Sequence, residues 1–196
     1  MFTGIVSHFG RIENITDKGK EKEIVISVKT EDRVLEIGQS VACDGICLTI
    51  TKIDKQRLSF FVSHETLNKT IVRNWQSGDI VNIEFAMSFK DLFNGHIVTG
   101  HVDTIAKVKK ITDLSDSRIV EFELDNHLEY LISKGSVTIN GVSLTINEIL
   151  DNSFEVNVIP HTWDNTNISN LEVGDEVNIE VDMIAKYMKK YHEKTK

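Results

Sequence analysis

The chain has 196 residues, 40% hydrophobic and 27% charged, with 22 Lys and Arg against 30 Asp and Glu and a formal net charge of −8. Such a composition fits one or two globular domains, and without a dense Lys/Arg block it argues against nucleic acid as the main partner. No apolar run approaches the ~20 residues that cross a bilayer, and the start Met1-Phe2-Thr3-Gly4-Ile5-Val6 lacks the basic and apolar regions of a signal peptide, so a cytoplasmic protein is expected.

In chain order, β-branched runs at 24–28, 41–53, 58–62 and 80–85 predict strands in the first half. Asp44-Gly45 lies inside the second run, as either a tight hairpin turn or a bulge. Asp54-Lys55-Gln56 reads as a hairpin turn, and a short helix is expected around Asp32 to Ile37. A boundary is expected between Met87 and Asn94, where Ser88 to Gly95 ends in a turn signal. The second half carries matching runs at 119–124, 137–149, 154–159 and 177–181, with Asn140-Gly141 inside one of them, a turn at Asp151-Asn152-Ser153 and a short helix around His127 to Ser133. Met183, Ile184, Tyr187, Met188 and Tyr191 then recur at helical spacing, which predicts an amphipathic helix. That helix packs either on its own second domain or on another subunit. The Lys residues after Ala185 read as its solvated face.

The two halves are copies. A shift of 96 residues carries Thr3-Gly4-x-Val6 onto Thr99-Gly100-x-Val102 and Gly45-Ile46-Cys47-Leu48-Thr49-Ile50 onto Gly141-Val142-Ser143-Leu144-Thr145-Ile146. It also carries Thr66 onto Thr162 and Gly78-Asp79-x-Val81-Asn82-Ile83-Glu84 onto Gly174-Asp175-x-Val177-Asn178-Ile179-Glu180, without a gap. The period is too long for a solenoid unit and suits a small domain. Close-spaced short strands predict an all-β protein of two tandem antiparallel barrels, with residues 1–90 and 91–183 as the barrels and 184–196 as the terminal helix.

Function is best sought where the copies differ. Ile5 becomes His101, Cys47 becomes Ser143, Glu65 becomes His161 and Phe2 becomes Val98. His101, expected in a strand, either fills space or shuttles a proton near neutral pH. Ser143 is a core hydroxyl or a reacting one. Cys47 is a small apolar residue or a nucleophile, depending on its pKa, and Cys43 is structural. Thr49 and Thr145 are strand formers or ligand contacts. Cys43 and Cys47, four apart in one expected strand, point the same way and make poor disulfide partners, which suits a reducing compartment. His96 and His101, five apart, face opposite ways on a strand and make poor joint metal ligands, and no Cys/His spacing resembles a zinc site. A triad using Ser143 and His101 stays open, although Gly141-Val142-Ser143-Leu144-Thr145 lacks the second glycine of a nucleophile elbow. There is no phosphate loop or dinucleotide fingerprint.

The opening Met1 to Val6, the segment Asn94-Gly95-His96-Ile97-Val98-Thr99-Gly100-His101-Val102-Asp103, the paired Gly-x-(Cys/Ser)-Leu-Thr frames and Val177 to Ile184 together resemble riboflavin synthase of the alpha-chain type, over nearly the whole chain. The resemblance implies two Greek-key barrels that each bind a lumazine, and a C-terminal helix that helps hold a homotrimer. It implies a dismutation in which two 6,7-dimethyl-8-ribityllumazine molecules exchange a four-carbon unit to give riboflavin and 5-amino-6-(ribitylamino)uracil, with no external cofactor or metal. It also implies that the pockets that meet belong to different subunits, and an association with lumazine synthase.

By the same resemblance, substrate contacts fall at Gly4, Ile5, Val6, Cys47, Leu48, Thr49, Phe61, Val62, Ser63, His64, Glu65 and Thr66. They fall equally at Gly100, His101, Val102, Lys134, Ser143, Leu144, Thr145, Asn157, Val158, Ile159, Pro160, His161 and Thr162. The hydroxyls of Thr49, Thr66, Thr145 and Thr162 would serve ring carbonyls and the ribityl chain. His101 is the candidate base for the acidic C7 methyl group, and Ser143, Cys47 or a held water is the candidate nucleophile. Relatives often carry Gly-Gly-His and Ser-Gly-His where this chain has Asn94-Gly95-His96 and Thr99-Gly100-His101, and Asp where it has Asn140. The rival reading is a non-catalytic lumazine- or flavin-binding antenna protein. A third is a structural tandem barrel that binds no ligand. The intact Thr99-Gly100-His101 and both Leu-Thr pairs favour the enzyme.

Overall fold

The computed structural model describes residues 1–30, 33–88 and 91–195. The first half forms β1 (His8–Asp17), β2 (Lys22–Val28), β3 (Ser40–Cys43), β4 (Ile46–Asp54), β5 (Arg57–Val62) and β6 (Ile80–Phe85). The second forms β7 (Thr104–Asp113), β8 (Arg118–Glu123), β9 (Ser136–Ile139), β10 (Val142–Ile149), β11 (Ser153–Val158) and β12 (Glu176–Val181). Each set closes into an antiparallel barrel, ordered β1-β2-β5-β4-β3-β6 and, equivalently, β7-β8-β11-β10-β9-β12. Placing β2 beside β5 while β3, β4 and β5 run as a meander is a Greek-key connection. Register shifts recur at the same places in both barrels. Those between Ile12 and Asn14 and between Ile50 and Lys52 are matched between Val108 and Lys110 and between Ile146 and Glu148. Such bulges bend a strand around a barrel corner.

The strands with clear β-branched runs appear where expected. β1 and β7 do not follow from the pattern, because in each the buried side chains end at the bulge and the rest of the strand is mostly polar. Asp44-Gly45 and Asn140-Gly141 are hairpin turns rather than bulges, with positive φ at all four residues. Consequently Cys43 and Cys47 stand on different strands, not on one, and both are free thiols. Of the helix expected at 32–37, Asp32 lies outside the described residues and 33–37 is not helical. The boundary stretch 87–94 includes residues 89 and 90, also outside the described set. The second expected short helix is a single 3-10 turn, Leu128–Tyr130. Two helices too short to leave a periodic signal follow β5 and β11: α1 (His64–Lys69) and α2 (Pro160–Asp164).

The barrels meet through reciprocal contacts, as about a twofold axis. Phe2 and Val98 form an antiparallel bridge. The two hairpin turns abut so closely that a Cβ on Gly45 would lie 2.7 Å from the Gly141 nitrogen, and the converse holds at the same distance. Asn82 Nδ2 donates to the Asn140 carbonyl, and Asn178 Nδ2 donates to the Asp44 carbonyl, both at 2.9 Å. The Asn167 and Ile71 amides donate to Asn82 Oδ1 and Asn178 Oδ1 in turn. One pair breaks the symmetry: Asn167 Nδ2 donates to Asp44 Oδ1 at 2.8 Å, where the matching positions hold Ile71 and Asn140. Burial pushes the Asp44 carboxyl up to about 7; bonds from Asn82 and Asn167 oppose that rise and the charge of Asp79 adds to it.

The last helix, α3 (Met183–Lys194), is capped by Asp182, whose side chain accepts from the Ile184 amide. Lys190 and Lys194 are exposed as expected, but two other lysines are held by the barrel. Lys186 reaches Asp103 at 2.6 Å and Lys189 reaches Glu129 at 2.6 Å, with the Lys189 ammonium over the Tyr130 ring. Ile184, Met188 and Tyr191 face outward and are 58–69% exposed. The helix thus lies on its own barrel by its charged face and leaves its apolar face open, the reverse of ordinary amphipathic docking.

Candidate active site

The segments that open each repeat cross to the other repeat's barrel. Gly4 O accepts from the Ser143 amide on β10, and Gly100 O accepts from the Cys47 amide on β4, both at 2.8 Å. Val6 packs against the core of the second barrel and Val102 against that of the first. Glycine is required at both crossings: φ is +77° at Gly4 and +78° at Gly100, and a Cβ on either would lie 2.6 Å from the Cβ of Ser143 or Cys47.

A buried carboxylate holds each crossing segment. Glu84, on β6, accepts from the Thr3 amide at 2.6 Å, the Thr3 hydroxyl at 2.9 Å and the Gly4 amide at 2.9 Å. Glu180, on β12, accepts from the Thr99 amide and hydroxyl at 2.7 Å and the Gly100 amide at 2.9 Å. Burial raises the Glu84 carboxyl above its ordinary range, against the pull of those donors. Neither glutamate was singled out from sequence, although the repeat contains both; each reads there as one more strand position.

The sequence-predicted residues therefore gather into two groups. The first barrel brings Cys47 and Thr49 on β4 together with Phe61 at the end of β5, Ser63 and the first turn of α1, and receives Gly100 and Val102 from the other repeat, while His101 between them borders a cavity beside α3. The second brings Ser143 and Thr145 on β10 with Asn157 on β11, Ile159 and α2, and receives Gly4 and Val6, while Ile5 between them borders a cavity on the side of Glu84 and Phe85. The Lys134 turn bonds to the Ile146 carbonyl at 2.8 Å, beside Thr145. Leu48, Val62, Leu144 and Val158 point their side chains into the barrel cores. His101 lies in an irregular exposed stretch before β7, not in a strand. Both mouths are open: Thr49, Thr145, Phe61, Asn157, Pro160, His161, His64 and Glu65 are exposed.

Within this shared frame the polar groups differ. Ser63 caps α1, its hydroxyl 3.2 Å from the Thr66 amide and 3.0 Å from the Thr66 hydroxyl. Ile159 replaces it in the second copy and removes that bond. Glu65 is tied to Lys69 at 3.6 Å on the surface, a weak pair. The larger difference is His96. It is buried, with Nδ1 2.7 Å from Ser143 Oγ and Nε2 3.2 Å from Thr138 Oγ1. Burial lowers its pKa, against the raising effect of Asp182, and a neutral imidazole donates from one nitrogen and accepts at the other. Ser143 is thus joined to His96 rather than to His101, and its hydroxyl is not a core group bonded to backbone. Cys47, in the Ser143 position, faces the crossing segment that carries His101. Its neighbour Cys43 is buried, and burial, Asp44 and Cys47 push that thiol well up. The shift that aligns the repeats would put the His96 equivalent before Met1, so comparing the copies cannot reveal it.

The lumazine binding domain model matches residues 3–86 and 99–182. Riboflavin synthase of Photobacterium phosphoreum is 40% identical over 192 residues, covering 97% of this chain and 88% of that protein. Riboflavin synthase of Bacillus subtilis (strain 168) is 37% identical, covering 97% and 89%. Among solved structures, LumP complexed with riboflavin superposes with a TM-score of 0.85 at 29% identity, over 92% of this chain and 99% of that one. LumP complexed with 6,7-dimethyl-8-(1'-D-ribityl) lumazine gives 0.83 at 28%.

Proposed function

The chain belongs to the riboflavin synthase family, with its lumazine-binding domain written twice, and from that premise we propose that its two open mouths hold two molecules of one substrate and treat them unequally. It is a transferase that converts two molecules of 6,7-dimethyl-8-ribityllumazine into riboflavin and 5-amino-6-(ribitylamino)uracil, the last step of riboflavin biosynthesis. The observation that carries the reading is the reciprocal crossing: Gly4 against Ser143 and Gly100 against Cys47 build two mouths of one design.

The first mouth combines Cys47, Thr49, Phe61 and Thr66 with His101, and the second combines Ser143, Thr145, Asn157 and Thr162 with Ile5. His101 is exposed and acts as the base for the C7 methyl group of one lumazine. The resulting anion delocalises into the ring. Ser143, hydrogen-bonded to the neutral imidazole of His96, is the group that attacks or holds a water against the ring of the other lumazine. Cys47 lines the first mouth. Holding the two rings together supplies much of the rate.

The open mouths and the outward apolar face of α3 support a homotrimer in which the first barrel of one subunit meets the second barrel of another. Within each subunit, residues 1–90 and 91–183 act as the two units and 184–196 as the oligomerisation helix. Among the described residues no helix is long and apolar enough to cross a membrane, and a cytoplasmic location accords with the reaction. Association with lumazine synthase is tested by co-sedimentation of the two proteins.

Incubation with 6,7-dimethyl-8-ribityllumazine decides the activity: two lumazines are consumed for each riboflavin formed. The LumP structures with lumazine and riboflavin favour the antenna reading as second choice. Tight binding without turnover would establish it instead.

A further inference from the structure

We infer that the Asp103–Lys186 ion pair is a positioning device that sets the His101 segment and ties it to the C-terminal helix. The segment 99–103 is clamped at both ends. Glu180 holds Thr99 and Gly100 at one end. At the other, the Asp103 amide donates to the Ile179 carbonyl at 2.8 Å, and Asp103 Oδ2 accepts from the Val181 amide at 2.9 Å. The same oxygen meets Lys186 Nζ at 2.6 Å, with side-chain exposures of 17% for Asp103 and 32% for Lys186. His101 sits between the clamps. In the first repeat, Ile5 stands in the place of His101 and Ser7 in the place of Asp103, and the Ser7 amide and hydroxyl both go to the Ile83 carbonyl. The backbone bond of the second clamp is therefore common to both repeats, and its carboxylate, with the bonds to Val181 and Lys186, is built only where the segment carries a histidine.

Lys186 belongs to α3, outside both repeats. The helix touches its own barrel through Lys186 and Lys189, while Ile184, Met188 and Tyr191 face away. A cavity of about 450 Å³ between helix and segment is lined by Thr99, His101, Tyr130, Met183 and Tyr187 among others. Beside that space the ion pair is a side-chain link from the helix to the histidine segment. Anything that seats the outward face of α3 then also fixes where His101 points.

The inference rests on the assignment of His101 to the reaction, so His101→Ala is measured alongside. Asp103→Asn keeps an oxygen for the Val181 amide and loses the charge; Lys186→Met keeps the stem and loses the ammonium. Each is expected to lower kcat by about tenfold, as a displaced reacting group does, with KM changed by less than twofold and the melting temperature unchanged. Lys186→Arg restores turnover, and the double variant is no slower than the slower single one. Lys189→Met, which releases the other tether, leaves turnover unchanged. If His101→Ala is slow while Lys186→Met stays within twofold of the parent, the ion pair has no positioning role. Multiplying losses in the double variant, or an equal loss in Lys189→Met, overturns it in the same way. An unimpaired His101→Ala removes the His101 reading, and this inference falls with it.

Discussion

The segments Thr3–Val6 and Thr99–Val102 are held by the same chemistry, a threonine and a glycine gripped by a buried glutamate, and each completes the barrel of the other repeat. One sets Gly4 against Ser143 and is followed by Ile5; the other sets Gly100 against Cys47 and is followed by His101. The histidine missing from the first segment is replaced at the second mouth by His96, bonded to Ser143. Duplication followed by reciprocal crossing thus yields two mouths of one shape, each with its own histidine arriving from a different direction. Such a molecule can bind two identical ligands and still give them different fates.

The strongest break of this symmetry removes a clamp. Glu180→Ala leaves two backbone amides and a hydroxyl without their acceptor, at a cost on the order of 1–3 kcal/mol for each buried donor left unpaired. It is expected to abolish ligand binding at the first mouth and spare the second, and Glu84→Ala is expected to do the opposite. Fluorescence titration with riboflavin or lumazine checks this: each variant keeps one class of site, and loss of the same class in both would refute the crossing. A smaller effect separates the chemistry from the frame. His101→Ala is expected to slow turnover by roughly 100-fold, the scale of a lost general base, whereas Ile5→Ala, at the matching position, changes it by less than about tenfold. His96→Gln, which keeps hydrogen bonds but cannot take the proton, is expected to slow turnover about as much as Ser143→Ala, and the double variant no more than either if the two act as a unit.

The smallest effect lies at the inter-barrel contact and concerns stability. The Asp44 carboxyl is raised from 3.8 to about 7. The folded chain therefore holds a proton that the unfolded chain releases, so this contribution is complete below about 4 and is lost as pH rises through 7. His96 runs the other way: its depressed pKa favours the fold above its ordinary value of 6.5 and that contribution is lost on acidification. Asp44→Asn is expected to flatten the fall in melting temperature between about pH 4 and 7, where the slope is about 1.4 kcal/mol for one pH unit. An unchanged fall across that window would mean that Asp44 does not titrate there.

Much of the fold was legible because the strands bury regular β-branched runs and because the gapless repeat required both halves to fold alike. β1 and β7 were not, since a bulge resets their alternation after the last buried residue. The candidate residues could be named from the sequence, but not which barrel each opening segment joins. Nothing in the spacing of Thr3-Gly4 or Thr99-Gly100 says which barrel a segment joins; the long-range amides of Ser143 and Cys47 decide that. Glu84 and Glu180 sit in strands where a charge looks like an outward position, and only their depth exposes their role. The lysines of α3 misled in a similar way. An amphipathic pattern says that two faces differ, not which one meets the parent barrel.

The central claim is that each opening segment serves the other repeat's mouth, and NMR of a bound, non-reacting lumazine labelled with ¹³C tests it most directly. Two bound signals are expected. His101→Ala should move only the signal that Cys47→Ala moves, and Ile5→Ala only the one that Ser143→Ala moves. If Ile5→Ala instead shifts the Cys47 signal and His101→Ala the Ser143 signal, each segment serves its own barrel and the account is wrong.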